Sequence, residues 1–156
     1  SGKVIPSLLE ELLTHPYLKQ EPPKSTGRES FGIEYTDDFI SRYQKFKSED
    51  IITTLTHFTA KSISDSYHDY ITLKEIPTVI VSGGGAYNKY LLELIASYSG
   101  YPVKTLDDYN MDASYKEAIA FVILGNETLQ HQPSNVLKAT GAKRYTILGQ
   151  ISPVLK

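Results

Sequence analysis

The sequence predicts an α/β protein of three layers, with few strands and several helices. Three observations carry that prediction. The run Thr78-Val79-Ile80-Val81 is rich in β-branched side chains, which favour a buried strand, and it empties into Ser82-Gly83-Gly84-Gly85. Past the glycines, Tyr90, Leu91, Leu94, Ile95 and Tyr98 recur at helical spacing, the signature of an amphipathic helix. Two helical segments precede a β–α–β–α order, and that succession of elements belongs to layered α/β domains.

Taken in order, Ser7-Leu8-Leu9-Glu10 reads as a capping box opening a short helix with Leu8, Leu9, Leu12 and Leu13 on its apolar side. His15-Pro16 should stop it, because a residue before proline avoids the helical region. Residues 19–32 have no periodicity; Pro22-Pro23 should be extended and stiff, and Gly27 can turn the chain. A helix is expected from about Thr36 to Phe46. A longer one should run from about Glu49 to Tyr70, with Ile52, Leu55, Thr59 and Ile63 along its buried side and Lys61, Asp65 and Asp69 facing water. Strand 77–81 and helix 86–98 follow. Gly100-Tyr101-Pro102 is a turn, 103–106 a short strand and 107–110 a polar loop. Ser114-Tyr115-Lys116-Glu117 reads as a second capping box, starting an apolar helix through Ile119, Val122 and Ile123 to about Leu129. Gln132-Pro133-Ser134-Asn135 ends it, and Tyr145 to Leu148 is a last extended segment. So narrow a sheet would leave apolar surface and an open edge, and that shortage suggests a missing half.

Composition narrows the function classes. A length of 156 residues, 40% hydrophobic and 22% charged, suits one domain with its own core. The net charge of −2 supplies no positive field, and no Arg/Lys block follows a helix face, so no nucleic-acid partner is expected. The apolar runs are too short to span a bilayer, and Ser1-Gly2-Lys3 begins no signal-peptide pattern. With no cysteine there is neither a disulfide nor a thiolate metal site. His15, His57, His68 and His131 lack ligand spacing, so no metal centre is expected, and His57 and His68 read as packing or surface residues.

The glycine run leaves two readings open. Three glycines let the backbone turn tightly, or let another molecule come within contact distance of it. Free N–H groups at the start of the following helix would suit a phosphate. The run is neither the Walker pattern nor the spaced dinucleotide fingerprint.

Four segments are more specific together. Pro22-Pro23-Lys24-Ser25-Thr26-Gly27-Arg28-Glu29 with Phe31, Val81-Ser82-Gly83-Gly84-Gly85-Ala86 with Asn88, Lys116-Glu117-Ala118-Ile119-Ala120-Phe121, and Thr140-Gly141-Ala142 resemble the anhydro-N-acetylmuramic acid kinase family. The likeness runs from Leu8 to about Gly149. It implies a ribonuclease H-like lobe of the actin-like ATPase fold, in a two-lobe cytoplasmic protein that is commonly a homodimer. It also implies the family's activity: ATP and Mg2+ are used to open a 1,6-anhydro amino sugar with water and phosphorylate O6. The stretch matched is the C-terminal part of a longer protein. Residues 1–156 would then form a single C-terminal lobe, with a helix and an ordered PPKSTGRE loop over 1–35 and a helical and β-α-β-α core over 36–149. The general base is expected in the missing N-terminal part, so no catalytic residue is assigned in this chain.

The resemblance implies roles for particular residues. Gly83, Gly84 and Gly85 would form the adenosine/phosphate turn. Asn88 would face the nucleotide or satisfy helix-start donors. Glu117 would touch a sugar hydroxyl or reach back to Ser114. Lys24, Ser25, Thr26 and Arg28 would make ligand or interlobe contacts, or Arg28 would pair with Glu29 or Glu34 and pin the loop. Two departures from the family pattern stand out: Ala113-Ser114 where Gly-Asp is usual, and Tyr87 where His is usual. They motivate a second reading, a non-enzymatic interaction domain that keeps the kinase fold.

Overall fold

The structure, a computed structural model, describes residues 2–71 and 78–152. They form an α/β protein dominated by helices, with an open two-stranded parallel sheet. The chain divides into two compact units, Ser1–Gln20 with Lys24–Met111 and Glu21–Pro23 with Asp112–Lys156.

The first unit is built on α1 (Pro6–Leu13), α2 (Arg28–Phe31), α3 (Ile33–Tyr43) and α4 (Ser48–Tyr70). Pro6 starts α1, since its fixed φ suits the first helical position. That placement puts Ile5 at the cap and Ser7 inside the helix, so the capping box expected at Ser7 does not form. Leu8 and Leu12 come one turn apart and bury against Ile5, Phe39 and Ile51; full burial of each such side chain is worth roughly 1.5–3 kcal/mol. Thr54 lies inside this core. Its Oγ1 accepts from Ile5 N at 2.9 Å and donates to Asp50 O at 2.7 Å, so no polar atom of that hydroxyl is stranded. Arg42 joins α1 to α3, reaching Glu11 and Asp38 at 2.6 Å each.

Several expected boundaries move. Pro22-Pro23 has a cis peptide bond and bends the chain instead of extending it. The expected loop holds the helical turn α2, and α3 begins at Ile33, with Gly32 extended at its cap. Thr36 is inside α3, its Oγ1 bonded back to Gly32 O at 3.0 Å. On α4 the buried face is Ile51, Thr53, Thr54, Ala60 and Ser64, whereas Ile52 is 64% exposed. Of the expected stripe, Ile52 and Thr59 are exposed, whereas Leu55 packs against the core and Ile63 is half-buried.

Strand β1 (Val79–Val81), helix α5 (Lys89–Ser99) and strand β2 (Val103–Thr105) form one βαβ unit. The strands pair in parallel, Val79 opposite Val103 and Val81 opposite Thr105, and α5 supplies the crossover that parallel pairing needs. Residue 77 of the expected strand lies outside the described residues. Small side chains let α5 come close to α4: Ala60 and Ser64 are fully buried, as are Ile95 and Ser99 nearly so, and Ser64 Oγ bonds to Ala60 O at 2.9 Å. Gly100, at φ 73°, ends α5 in the left-handed region, a common place for glycine. The expected loop at 107–110 holds a 3-10 turn, Asp107–Tyr109.

The second unit contains α6 (Lys116–Leu129) and the short α7 (Leu137–Thr140). The second expected capping box is absent too. Ser114 lies in a 3-10 turn, and its N–H and Oγ both donate to Asp112 Oδ1, at 2.8 and 2.6 Å. These bonds hold the Asp112 carboxyl below the usual range. No residue of α6 is buried. Segment 145–148 joins no ladder; Thr146 N donates to the side chain of Asn135 at 2.8 Å instead.

Candidate functional site

The best-formed candidate lies in the first unit, where β1 gives way to the glycine turn. Gly83 has φ 84°, a conformation L side chains rarely adopt, so the turn itself requires glycine there. Gly84 to Tyr87 make one 3-10 turn, closed by Ala86 N to Gly83 O at 3.0 Å and Asn88 N to Gly85 O at 3.1 Å. α5 begins at Lys89, not at the expected 86, because this turn comes first.

Gly84 and Gly85 are not demanded by the local fold. Neither has a positive φ. A Cβ on Gly84 would meet nothing within 4 Å, and one on Gly85 only Leu91 Cδ2 at an ordinary 3.7 Å. The turn therefore presents an exposed stretch of bare backbone with room above it. Asn88 is the N-cap of α5: its side-chain oxygen accepts from Leu91 N at 3.1 Å. Of the two roles open for Asn88, the capping one is visible in the structure, and the amide Nδ2 is the group left to meet a ligand.

Beside Asn88 runs a shallow groove of about 190 Å³, lined by Ile52, Leu55, Thr56 and Thr59 of α4 and Leu91 of α5. Thr56 and Thr59 turn their hydroxyls onto carbonyls of their own helix, at 2.8 and 2.9 Å, so the groove is largely methyl-lined. Sequence reasoning missed it as a site. The signal was present in the Ile52–Leu55–Thr59 spacing, which reads equally well as core.

The PPKSTGRE residues separate. Lys24 Nζ lies over the rings of Tyr17 and Tyr70, at 5.1 and 5.2 Å. It donates to the carbonyls of Tyr17 and Leu18 at 3.3 and 3.2 Å. The ammonium is thus held by two aromatic faces and two backbone oxygens, an arrangement that fixes the loop. Ser25 is exposed, and Thr26 Oγ1 is buried with no hydrogen-bond partner. Arg28 lines an open hollow of about 1000 Å³ with Glu29, Phe31, Ile33, Glu34 and Asp37. No ion pair joins it to Glu29 or Glu34 among the described residues, so the expected pinning pair is absent.

In the second unit Glu117 stands exposed in the first turn of α6. With Ser114 bonded to Asp112, the explanation of Glu117 as half of a capping box fails. The turn at Thr140-Gly141-Ala142 closes on itself: Gly141, at φ 69°, caps α7, and Ala142 N donates to Thr140 Oγ1 at 3.3 Å. No cluster of three or more His, Cys, Asp or Glu able to hold a metal occurs among the described residues. His57 is engaged at both ring nitrogens, with Tyr98 OH at 2.7 Å and Tyr90 OH at 2.8 Å, and it knits α4 to α5.

Comparison with known proteins bears on this geometry. The family described as "Anhydro-N-acetylmuramic acid kinase" matches residues 1–154. Proteins of that name are similar over 97% of this chain: one from Francisella tularensis subsp. novicida is 52% identical, and one from Clostridioides difficile 46%. Another from Bacillus cereus is 44% identical, also over 97% of this chain. The chain spans about two fifths of the length of these relatives, 40% of the first two and 41% of the third.

Proposed function

Since the chain belongs to the anhydro-N-acetylmuramic acid kinase family, we propose that it is the C-terminal lobe of an ATP-dependent kinase for an anhydro amino sugar. In this reading it has the ribonuclease H-like, three-layer lobe of the actin-like ATPases. The complete protein opens the 1,6-anhydro ring with water and places the phosphoryl group on O6. It works as a cytoplasmic homodimer, and the lobe alone is inactive.

The observation that carries the nucleotide assignment is the pair Gly84 and Gly85, which no backbone angle or neighbour requires to be glycine. Missing side chains on an exposed turn are what close approach of a ligand needs. The exposed backbone of Gly83, Gly84 and Gly85 and the Asn88 amide would hold a nucleotide there. The methyl-lined groove of Ile52, Thr56 and Leu91 gives an apolar face to a base. ATP supplies the phosphoryl group and its Mg2+ screens the phosphate charge. Glu117, an exposed carboxylate free of a capping role, accepts a sugar hydroxyl. Lys24 anchors the loop from which Ser25 and Arg28 reach a ligand or the other lobe, while the Thr26 hydroxyl on the same loop is turned inward.

The test uses the full-length polypeptide. A Gly84→Val variant should raise KM for ATP by about tenfold or more, as expected when a group is inserted into a contact surface. Its melting temperature should not fall, because a Cβ at this position meets nothing within 4 Å. Product is read as phosphorylated sugar by mass spectrometry. The Ala113-Ser114 and Tyr87 departures favour a second reading, an interaction domain without chemistry. Absence of any phosphorylated sugar from the wild-type full-length protein would establish that alternative and end the kinase proposal.

A further inference from the structure

The two ends of α5 are held to α4 in different ways. In the later half of α5, Ile95 and Ser99 are buried, as are Ala60 and Ser64 of α4, and Ser64 Oγ comes within 3.5 Å of the Ile95 carbonyl oxygen. The first turn of α5 instead faces α4 across the shallow groove. Ile52, Leu55, Thr56 and Thr59 form one wall of it, Asn88 and Leu91 the other.

One imidazole serves both ends. His57 Nδ1 lies 2.7 Å from the Tyr98 hydroxyl, and its Nε2 lies 2.8 Å from the Tyr90 hydroxyl. Tyr90 is the second residue of α5 and Tyr98 the tenth of its 11, a rise of about 12 Å. A neutral imidazole has one N–H and one bare nitrogen. It donates to one tyrosine oxygen and accepts from the other hydroxyl, so both bonds form in either tautomer. The hold at Tyr98 is duplicated, by Lys61 Nζ at 5.9 Å over its ring and by the burial of Ser99 beside it. Tyr90 is 42% exposed and stands two residues past Asn88. Among the described residues, no other side-chain hydrogen bond joins α4 to that turn. Without it, α5 rests on its far half, and its start is free to move against Thr56.

We propose that His57 is a positioning residue for the nucleotide site. Through the Tyr90 hydroxyl it holds the first turn of α5, and with it Asn88 and the glycine turn, at a fixed distance from the α4 wall of the groove. The inference rests on the proposed function in taking the glycine turn and the groove as the place of the nucleotide. Groups that meet a ligand have to be held to within about 0.5 Å, whereas folding asks much less of an exposed helix start.

The two tyrosines supply the control, because each loses one bond to the same ring on change to phenylalanine. In the full-length polypeptide, Tyr90→Phe should raise KM for ATP about fivefold, with kcat within about twofold of wild type. Tyr98→Phe, at the far end, should leave both constants within about twofold. His57→Gln keeps a donor and an acceptor and should stay closer to wild type than His57→Leu, which keeps neither. The Leu91 and Leu92 amides bond to Asn88, and their hydrogen exchange should be about fivefold faster in Tyr90→Phe and unchanged in Tyr98→Phe. An unchanged KM in Tyr90→Phe would overturn the proposal. So would equal rises in the two tyrosine variants, which mark a general loss of packing. Gly84→Val, measured in parallel, separates the two readings. If it raises KM and Tyr90→Phe does not, the nucleotide site stands and His57 has no part in it. If neither variant moves KM, or the wild type turns over no ATP, the nucleotide reading itself fails and this inference falls with it.

Discussion

α4 and α6 invert the usual relation between composition and burial. α4 buries Thr53, Thr54 and Ser64 and leaves Ile52 exposed, whereas α6 is apolar from Ala118 to Leu124 and buries no residue. The difference lies in what each helix has to pack on. α4 meets α1 on one side and α5 on another, both within the same unit. Its hydroxyls are satisfied by its own carbonyls before they enter the core, Thr54 on Asp50 and Ser64 on Ala60, which removes most of the cost of burying them. Within its own unit α6 lies beside the thin segment after Leu148 and shares an open cavity with it. Composition records the environment for which a helix is fitted, and that environment need not lie within one stretch of chain.

The sharpest way to break this comparison is to truncate one residue from each side of it. Leu12→Ala should destabilise the chain by about 2–5 kcal/mol, as fully buried leucines do. Val122→Ala in the same chain should change stability by no more than about 0.5 kcal/mol, as at an exposed position. Urea denaturation measures both. Equal effects would mean that α6 is packed as tightly as the core of the first unit.

Thr54→Val comes next. It keeps the shape and strands the Ile5 N–H, for an expected loss of about 1–3 kcal/mol. A neutral result would show that buried hydroxyls on α4 are incidental. Asn88→Ala removes the cap that fixes the start of α5 and should lower stability by about 1 kcal/mol, read from the same denaturation curves.

The smallest expected effect is on pH. Burial pushes the His57 imidazole below its ordinary value. A base whose folded pKa is depressed stabilises the protein above its unfolded pKa, and that contribution is lost as pH falls through the folded value. The wild-type melting temperature should therefore decline more between pH 7 and pH 5 than that of a His57→Phe variant. Identical slopes would dismiss His57 as the source.

Much of the fold was legible in the sequence, and particular residues explain what was not. Helical periodicity located α1, α4, α5 and α6, and the β-branched run located β1. The face of α4 was misread because Thr54 and Ser64 carry hydroxyls that count as polar until their helix partners are known. Both capping boxes were misplaced by a neighbour: Pro6 starts α1 a residue early, and Asp112 takes the Ser114 hydroxyl. At the candidate site the glycine turn stood out, since few other residues admit the angle of Gly83. The placement of Lys24 joins the nearby Tyr17 and Leu18 to Tyr70, 46 positions further along the chain, and the distant partner has no local signal.

The openness of Gly84 sets stability and use against each other. Alanine would fit there without strain or clash, and replacing glycine at a compatible site stabilises a protein by about 0.4–1 kcal/mol through the unfolded chain. Gly84→Ala should therefore raise the midpoint of unfolding, and, on the function proposed above, it should at the same time weaken ATP binding to the full-length protein. A screen for heat resistance alone would enrich the alanine, and a screen for sugar phosphorylation would discard it. The position is one where the polypeptide has more to gain as a folded object than as a binding surface, and the direction in which an evolving population moves it would report which of the two is under selection.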